Sequence, residues 1–182
     1  MKKALINIDY TNDFVAEKGV LTCGKPGQDI QPEIVSLTKE FITNGDFVVF
    51  AIDFHETGDD RHPETTLYPP HNIEGTIGRK LYGELDDVYE NNKESDHVYW
   101  LDKTRYSAFA GTNLEIKLRE REITELHIVG VATDICCLHT CVDAYNKGFK
   151  IVVHKAAVAS FNQEGHQWAL KHFKNSLGAD VV

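Results

Sequence analysis

The chain has 182 residues, 42% of them hydrophobic and 10% aromatic, the proportions of a folded globular protein and not of a disordered one. At this length it reads as one domain over residues 1–182, able to bury a sizeable core. A formal net charge of −9 speaks against nucleic acid or an anionic membrane as a partner, since both need basic surface.

No segment reaches the length of a membrane span. Met1-Lys2-Lys3 resembles the start of a signal peptide, but Asn7 and Asp9 break the apolar run and no small-residue cleavage site follows. Four cysteines without framework spacing suit a reducing compartment, and the chain reads as cytoplasmic.

Residues 4–8 are an apolar run short enough for a buried strand, and they end on Asp9. A loop-like stretch with Gly19, Gly24, Pro26 and Gly27 follows. Pro32 suits the first turn of a helix to about Thr43, and Gly45 suits its exit. Residues 47–52 are near-continuously apolar, as a strand covered on both faces should be, and lead into Asp53-Phe54-His55. The polar segment 56–78 carries His62, Glu64 and Tyr68-Pro69-Pro70-His71; it is too long for a plain connection and reads as functional.

A helix over 79–89 leads to a third strand over 97–101, ending in Asp102-Lys103. Thr112 with Glu115 spells a capping box for a helix to about Glu122. Residues 127–131 form a fourth strand, and Gly130, Ala132 and Thr133 mark a tight exit from it. A helix capped by Thr133 or Asp134 would follow, with Cys136 in its first turn. A fifth strand over 150–154, a helix over 162–175 and a short strand over 179–182 complete the pattern. Alternating strands and helices predict a three-layer α/β/α fold around a central, mostly parallel sheet of five to six strands.

In such a sheet ligands bind beyond the carboxyl ends of the strands. Four successive strands here end in reactive residues: Asp9, then Asp53 with His55, then Lys103, then the turn before Cys136. A carboxylate, a cation and a thiol are the parts of covalent acyl transfer. At a helix N-terminus the Cys136 thiol would be favoured as thiolate. Each residue also has a plain reading: Asp9 as a turn residue, Lys103 as a solvated lysine, Cys136 as core filler like Cys137 and Cys141. A zinc site from Cys136, Cys137, His139 and Cys141 fits poorly, because adjacent helical positions diverge.

Asp53 and His55 share one face of a strand, so an oxygen and a nitrogen ligand can point together. His71 can join them if the long loop folds back. A mixed carboxylate–imidazole set suits Zn²⁺, Mn²⁺ or Fe²⁺, although nine histidines in the chain make surface histidines the competing reading.

Taken together, these motifs resemble those of the isochorismatase-like cysteine hydrolases, and within them the nicotinamidases. The resemblance covers nearly the whole chain: I-N-I-D-Y-T-N-D-F, D-F-H, Y-P-P-H-x-x-x-G-T, the lysine after the third strand, G-V-A-T-D-I-C-C and G-A-D-V-V. It implies a catalytic triad of Asp9, Lys103 and Cys136, a non-proline cis peptide at Val131–Ala132, and an oxyanion hole from the N–H groups of Ala132 and Cys136. It also implies one divalent metal ion, zinc ahead of manganese or iron, held by Asp53, His55 and His71.

The chain departs from the nicotinamidases where a further histidine ligand would sit. Its loop is shorter and offers Glu64 as fourth ligand, with His62 as rival. Tyr68 stands where the family often has tryptophan. Phe14, Leu21, Tyr68 and Tyr106 are the expected walls of a pocket too small for an intact dinucleotide. The implied activity is hydrolysis of nicotinamide to nicotinate and ammonia in NAD salvage, through a Cys136 thioester, with pyrazinamide as a second substrate.

Relatives that cleave ureido or N-carbamoyl compounds are the alternative, and they generally lack the metal ligands. Those acting on isochorismate need no nucleophilic cysteine. A rival of another class is a non-catalytic metal- or redox-binding domain using the clustered cysteines. A homo-oligomer is compatible with the sequence, but no residue sets the number of subunits.

Overall fold

All seven residues of the strand Phe47–Asp53 are buried, which places it inside a sheet covered on both faces. The structure, a computed structural model, describes residues 2–182. Its sheet has six strands: β1 (Lys2–Ile8), β2 (Phe47–Asp53), β3 (Val98–Lys103), β4 (Ile123–Val131), β5 (Lys150–Ala159) and β6 (Asp180–Val181). They run in the order β3-β2-β1-β4-β5-β6, and every neighbouring pair is parallel.

Parallel neighbours need crossovers, and among the described residues seven α-helices supply them: α1 (Asn12–Val15), α2 (Lys25–Asp29), α3 (Gln31–Thr43), α4 (Glu84–Asn92), α5 (Leu114–Glu120), α6 (Leu138–Asn146) and α7 (Gln163–Ser176). Strand alternation sorts the core into two layers. Ala4, Ile6, Ile8, Val49 and Ala51 face Leu118, Cys141 and Phe173 of α5, α6 and α7. Leu5, Val48, Phe50 and Ile52 face Ile34, Phe41 and Leu85 of α3 and α4. Each such Leu, Ile or Phe contributes about 1.5–3 kcal/mol by leaving water. The order in which strands are added reverses between β1 and β4, so the crevice for a ligand opens beyond Ile8 and Val131. Gly130 lets β4 run hard against β1, since a Cβ there would lie 2.0 Å from the Ile8 carbonyl oxygen.

Several local expectations are corrected. The helix expected over 79–89 begins at Glu84, because residues 77–79 form a 3₁₀ turn and Gly83, with φ 58°, redirects the chain. Thr112 and Glu115 make no capping box. Asn113 is the N-cap of α5, the Thr112 hydroxyl donates to the Ala108 carbonyl at 2.6 Å, and Glu115 pairs with Lys147 at 2.7 Å. Neither Thr133 nor Asp134 caps a helix; the Thr133 hydroxyl sits 2.8 Å from His166 Nδ1 and Asp134 accepts from Ser160 at 2.6 Å. Among the described residues, no helix is long and apolar enough to cross a membrane.

Away from the crevice, His127 on β4 and His154 on β5 lie with Nδ1 and Nε2 2.8 Å apart, and His127 Nε2 reaches Glu125 at 3.1 Å. The Glu125 carboxylate can only accept, so His127 donates to it and accepts from His154. Burial, with His127 and Lys3 nearby, pushes His154 from its ordinary 6.5 down to about 4. The unfolded chain therefore takes up a proton below pH 6.5 that the folded protein refuses until about pH 4, and stability is lost as pH falls through that window. His154→Gln removes the group, so a series of melting temperatures from pH 7 to pH 4 becomes shallower in the variant. Parallel curves would contradict this.

Candidate active site

Three side chains meet beyond the carboxyl ends of β1, β3 and β4. Asp9 follows β1 at φ 52°. Its Oδ1 accepts from the Asp53 backbone N–H at 2.8 Å, and its Oδ2 lies 2.7 Å from Lys103 Nζ. Lys103 is fully buried at the end of β3. It pairs with Asp53 Oδ1, donates to the Arg105 carbonyl at 3.2 Å and lies 3.7 Å from Cys136 Sγ. Its two carboxylate neighbours outweigh burial and hold the ammonium well above the usual lysine range.

Burial, reinforced by Asp53 and only partly offset by Lys103, pushes the Asp9 carboxyl up to about 7. Burial likewise drives the Cys136 thiol well above its ordinary range, with Lys103 pulling the other way. The expectation of a thiolate made by a helix N-terminus is therefore corrected. Cys136 belongs to a π turn, Thr133–Cys137, and α6 begins only after it. The resting group is a thiol whose sulfur lies within 4.8 Å of an oxygen of the Asp9 carboxylate, itself poised near neutrality, so a base stands close to its proton.

Asp53, His55, Glu64 and His71 form a second cluster. One ligand atom from each lies within 4.8 Å of every other, and all four residues are buried. β2 delivers Asp53 at its end and His55 two residues beyond it, and the 3₁₀ turn Pro63–Thr66 delivers Glu64. The long loop folds back through a bridge between His55 and Ile73 that carries in His71. His71 Nδ1 donates to the Pro69 carbonyl at 2.8 Å, which turns Nε2 inward, 3.4 Å from Glu64.

Asp53 Oδ2, His55 Nε2 and His71 Nε2 are buried without a hydrogen-bond partner. Orphaned buried acceptors of this kind call for an occupant, and a divalent cation of zinc type fits the donor set. Burial keeps His55 below its ordinary range, whereas Glu64, the Pro69 carbonyl and Asp53 outweigh burial and hold His71 above it, so a cation would displace a proton there. His62 has both nitrogens engaged, with Thr104 O at 2.7 Å and the Glu64 N–H at 3.2 Å, so it supports Glu64 and does not join the cluster.

Between the two clusters lies a pocket with an empty volume of about 400 Å³. Phe14, Leu21, Tyr68 and Tyr106, the four expected wall residues, all line it, and Cys136, Ala132, Asp53, Glu64 and His71 face the same space. The peptide Val131–Ala132 is cis. The Ala132 carbonyl accepts from the N–H groups of Ile135 and Cys137, both at 3.1 Å, on either side of Cys136.

Sequence reasoning missed three lining residues, Cys23, Ile135 and Phe161. Phe161 was findable had the fifth strand been followed to its true end at Ala159, since it sits just past that carboxyl end. The pairing of Lys103 with Asp53 was also missed. It follows from their direct opposition in the β2–β3 register. Cys137 and Cys141 are fully buried core, all four cysteines are free, and His139 Nδ1 bonds the Ile135 carbonyl at 2.7 Å. The cysteine zinc site therefore has no counterpart among the described residues.

Comparison with known proteins matches the profile of the Isochorismatase domain to residues 3–182. The chain is 69% identical to an uncharacterised isochorismatase family protein, PncA, of Bacillus subtilis, over 100% of both chains. It is similar to the crystal structure of a Bacillus subtilis nicotinamidase/pyrazinamidase, PncA, at 66% identity and a TM-score of 0.99, covering 100% of both chains. A pyrazinamidase of Pyrococcus horikoshii, crystallised in complex with zinc, is similar at 27% identity and a TM-score of 0.86, covering 100% of this chain and 99% of that one.

Proposed function

This chain belongs to the isochorismatase family, and from that premise we propose that it is a nicotinamidase, hydrolysing nicotinamide to nicotinate and ammonia in NAD salvage and accepting pyrazinamide. The observation that carries the reading is the sharing of one pocket by the Cys136 thiol and the Asp53, Glu64 and His71 side chains of the cation cluster. A ureido or N-carbamoyl amidase has no evident use for that cluster. A redox domain has none for the Asp9–Lys103 pair.

In the proposed reaction Asp9 takes the proton from Cys136 as sulfur attacks the carboxamide carbon, and Lys103 holds the charge of the resulting pair. The N–H groups of Ala132 and Cys136 receive the oxyanion, an interaction worth about 3–4 kcal/mol per donor. The carbon–nitrogen bond then breaks, with Asp9 returning its proton so that ammonia leaves. Asp9 next takes a proton from water as it attacks the thioester, and nicotinate and the free thiol are released. A divalent cation on Asp53, His55, Glu64 and His71, zinc before manganese or iron, would supply Lewis-acid coordination for the pyridine nitrogen. Phe14, Leu21, Tyr68 and Tyr106 enclose the ring and leave no room for a dinucleotide.

Ammonia release by the zinc-loaded protein tests the assignment. Nicotinamide and pyrazinamide are turned over, while N-carbamoyl and ureido amides are turned over far more slowly. Preference for an N-carbamoyl substrate would overturn it.

A further inference from the structure

Residues 76–80 touch three strand ends at once. The Asn12 backbone N–H donates to the Lys80 carbonyl at 2.9 Å, and the Asn12 side chain donates to the Ile77 carbonyl at 2.9 Å. A Cβ on Gly78 would lie 2.4 Å from the Asp13 carboxylate oxygens, so any larger residue there would have to displace that carboxylate. From this base Arg79 reaches across the ends of β2 and β3. Its Nε donates to the Asp53 carbonyl at 2.7 Å, and one terminal nitrogen lies 2.5 Å from Asp102 Oδ1 and 3.4 Å from the Ile52 carbonyl. The guanidinium carbon sits 5.0 Å from the Phe54 ring centre and 5.4 Å from that of Trp100, whose indole N–H donates to Asp102 at 2.7 Å.

We propose that Arg79 is a positioning residue that fixes Asp53 and Lys103 relative to one another. Asp53 opposes Lys103 across the β2–β3 register, and its carboxyl serves both Lys103 and the cation cluster. Beyond them the Phe54 N–H bonds the Lys103 carbonyl at 2.7 Å, and the ladder between the two strands ends there. Arg79 supplies the next tie, joining the Asp53 backbone to the side chain of the residue before Lys103. Its side chain is only 13% exposed and lies against two rings, while Asp102 is 52% exposed, so the firmer hold is on the backbone carbonyls and not on the ion pair. The planar fork can hold a carbonyl and a carboxylate together, which an ammonium does less well. Support of this kind behind a ligand typically governs affinity by about 10–100-fold. The inference rests on the proposed cation site for its first readout and not for its second.

The test measures the zinc dissociation constant of metal-stripped protein by competition with a chromophoric chelator, alongside kcat and KM, for Arg79→Met and Arg79→Lys. Zinc affinity falls by roughly 10–100-fold in Arg79→Met, kcat falls with it, KM moves less, and Arg79→Lys recovers only part. Lys93→Met, which removes an exposed pair with Glu90, serves as a control and changes neither. Should Arg79→Met fail to fold, Asp102→Asn removes the outer anchor alone and shifts affinity in the same direction by less. Folded variants that differ from wild type only in melting temperature would overturn the proposal. Wild-type protein that takes up no zinc would sink the cation reading itself. The rate of Cys136 alkylation by iodoacetamide then decides for Arg79: a change of several-fold in Arg79→Met supports it, and an unchanged rate overturns it.

Discussion

Cys136→Ala abolishes amide hydrolysis, lowering kcat by roughly 10⁴-fold or more, while the protein still folds and takes up zinc. The size of the loss follows from the division of labour in the crevice. Without the sulfur there is no covalent acceptor for the acyl group, and the pocket and the backbone donors at Ala132 retain only binding. The fold survives because the substitution removes one sulfur from a residue that faces the pocket as well as the core. Asp9→Asn is expected to lose about 10²–10⁴-fold, because the thiol, held protonated by burial, then has no base beside it. Ammonia release and zinc content, measured on the same samples, check both statements. An active Cys136→Ala protein would remove the thioester from the account.

His71→Ala has the second large effect, and zinc affinities of Glu64→Gln and His62→Gln separate Glu64 from His62. Loss of an inward-facing nitrogen from the cluster costs zinc affinity more than the roughly 10–100-fold expected of a supporting residue, and turnover of nicotinamide falls in proportion. Glu64→Gln weakens zinc as well, since it removes a charged oxygen from the same group. His62→Gln costs less, because that ring only braces the Glu64 backbone and the Thr104 carbonyl. Zinc present at about a hundred times its dissociation constant stabilises the folded protein by about 2.7 kcal/mol, so a rise in melting temperature on zinc addition reports binding without any assay of turnover. That rise disappears in His71→Ala. Equal zinc-dependent shifts in His71→Ala and wild type would contradict the ligand assignment.

The sheet was legible because strands covered on both faces are written as apolar runs, and β2 is the clearest of them. The site was legible through topology: residues at the carboxyl ends of parallel strands converge, so Asp9, Asp53, Lys103 and the turn before Cys136 could be grouped from their places in the chain alone. What stayed hidden depended on tertiary context. In sequence the apolar pattern of the fifth strand stops at His154, because exposed Lys155 and Ala156 interrupt it, and Phe161 falls outside the pattern with the rest of the strand. The electrostatic state of Cys136 was misjudged for a related reason. Its place near a helix start is visible in sequence, but its burial, which raises the thiol, is a property of the packed crevice. Thr112 and Glu115 matched a capping pattern, yet each found a stronger partner elsewhere, Ala108 O and Lys147.

Mass analysis of enzyme quenched in acid during a single turnover of nicotinamide reads the Cys136 thioester itself. One nicotinoyl group is expected, carried by the peptide that contains Cys136 and absent from Cys136→Ala. A nicotinoyl group on another residue, or none at any time while nicotinate accumulates, would contradict it.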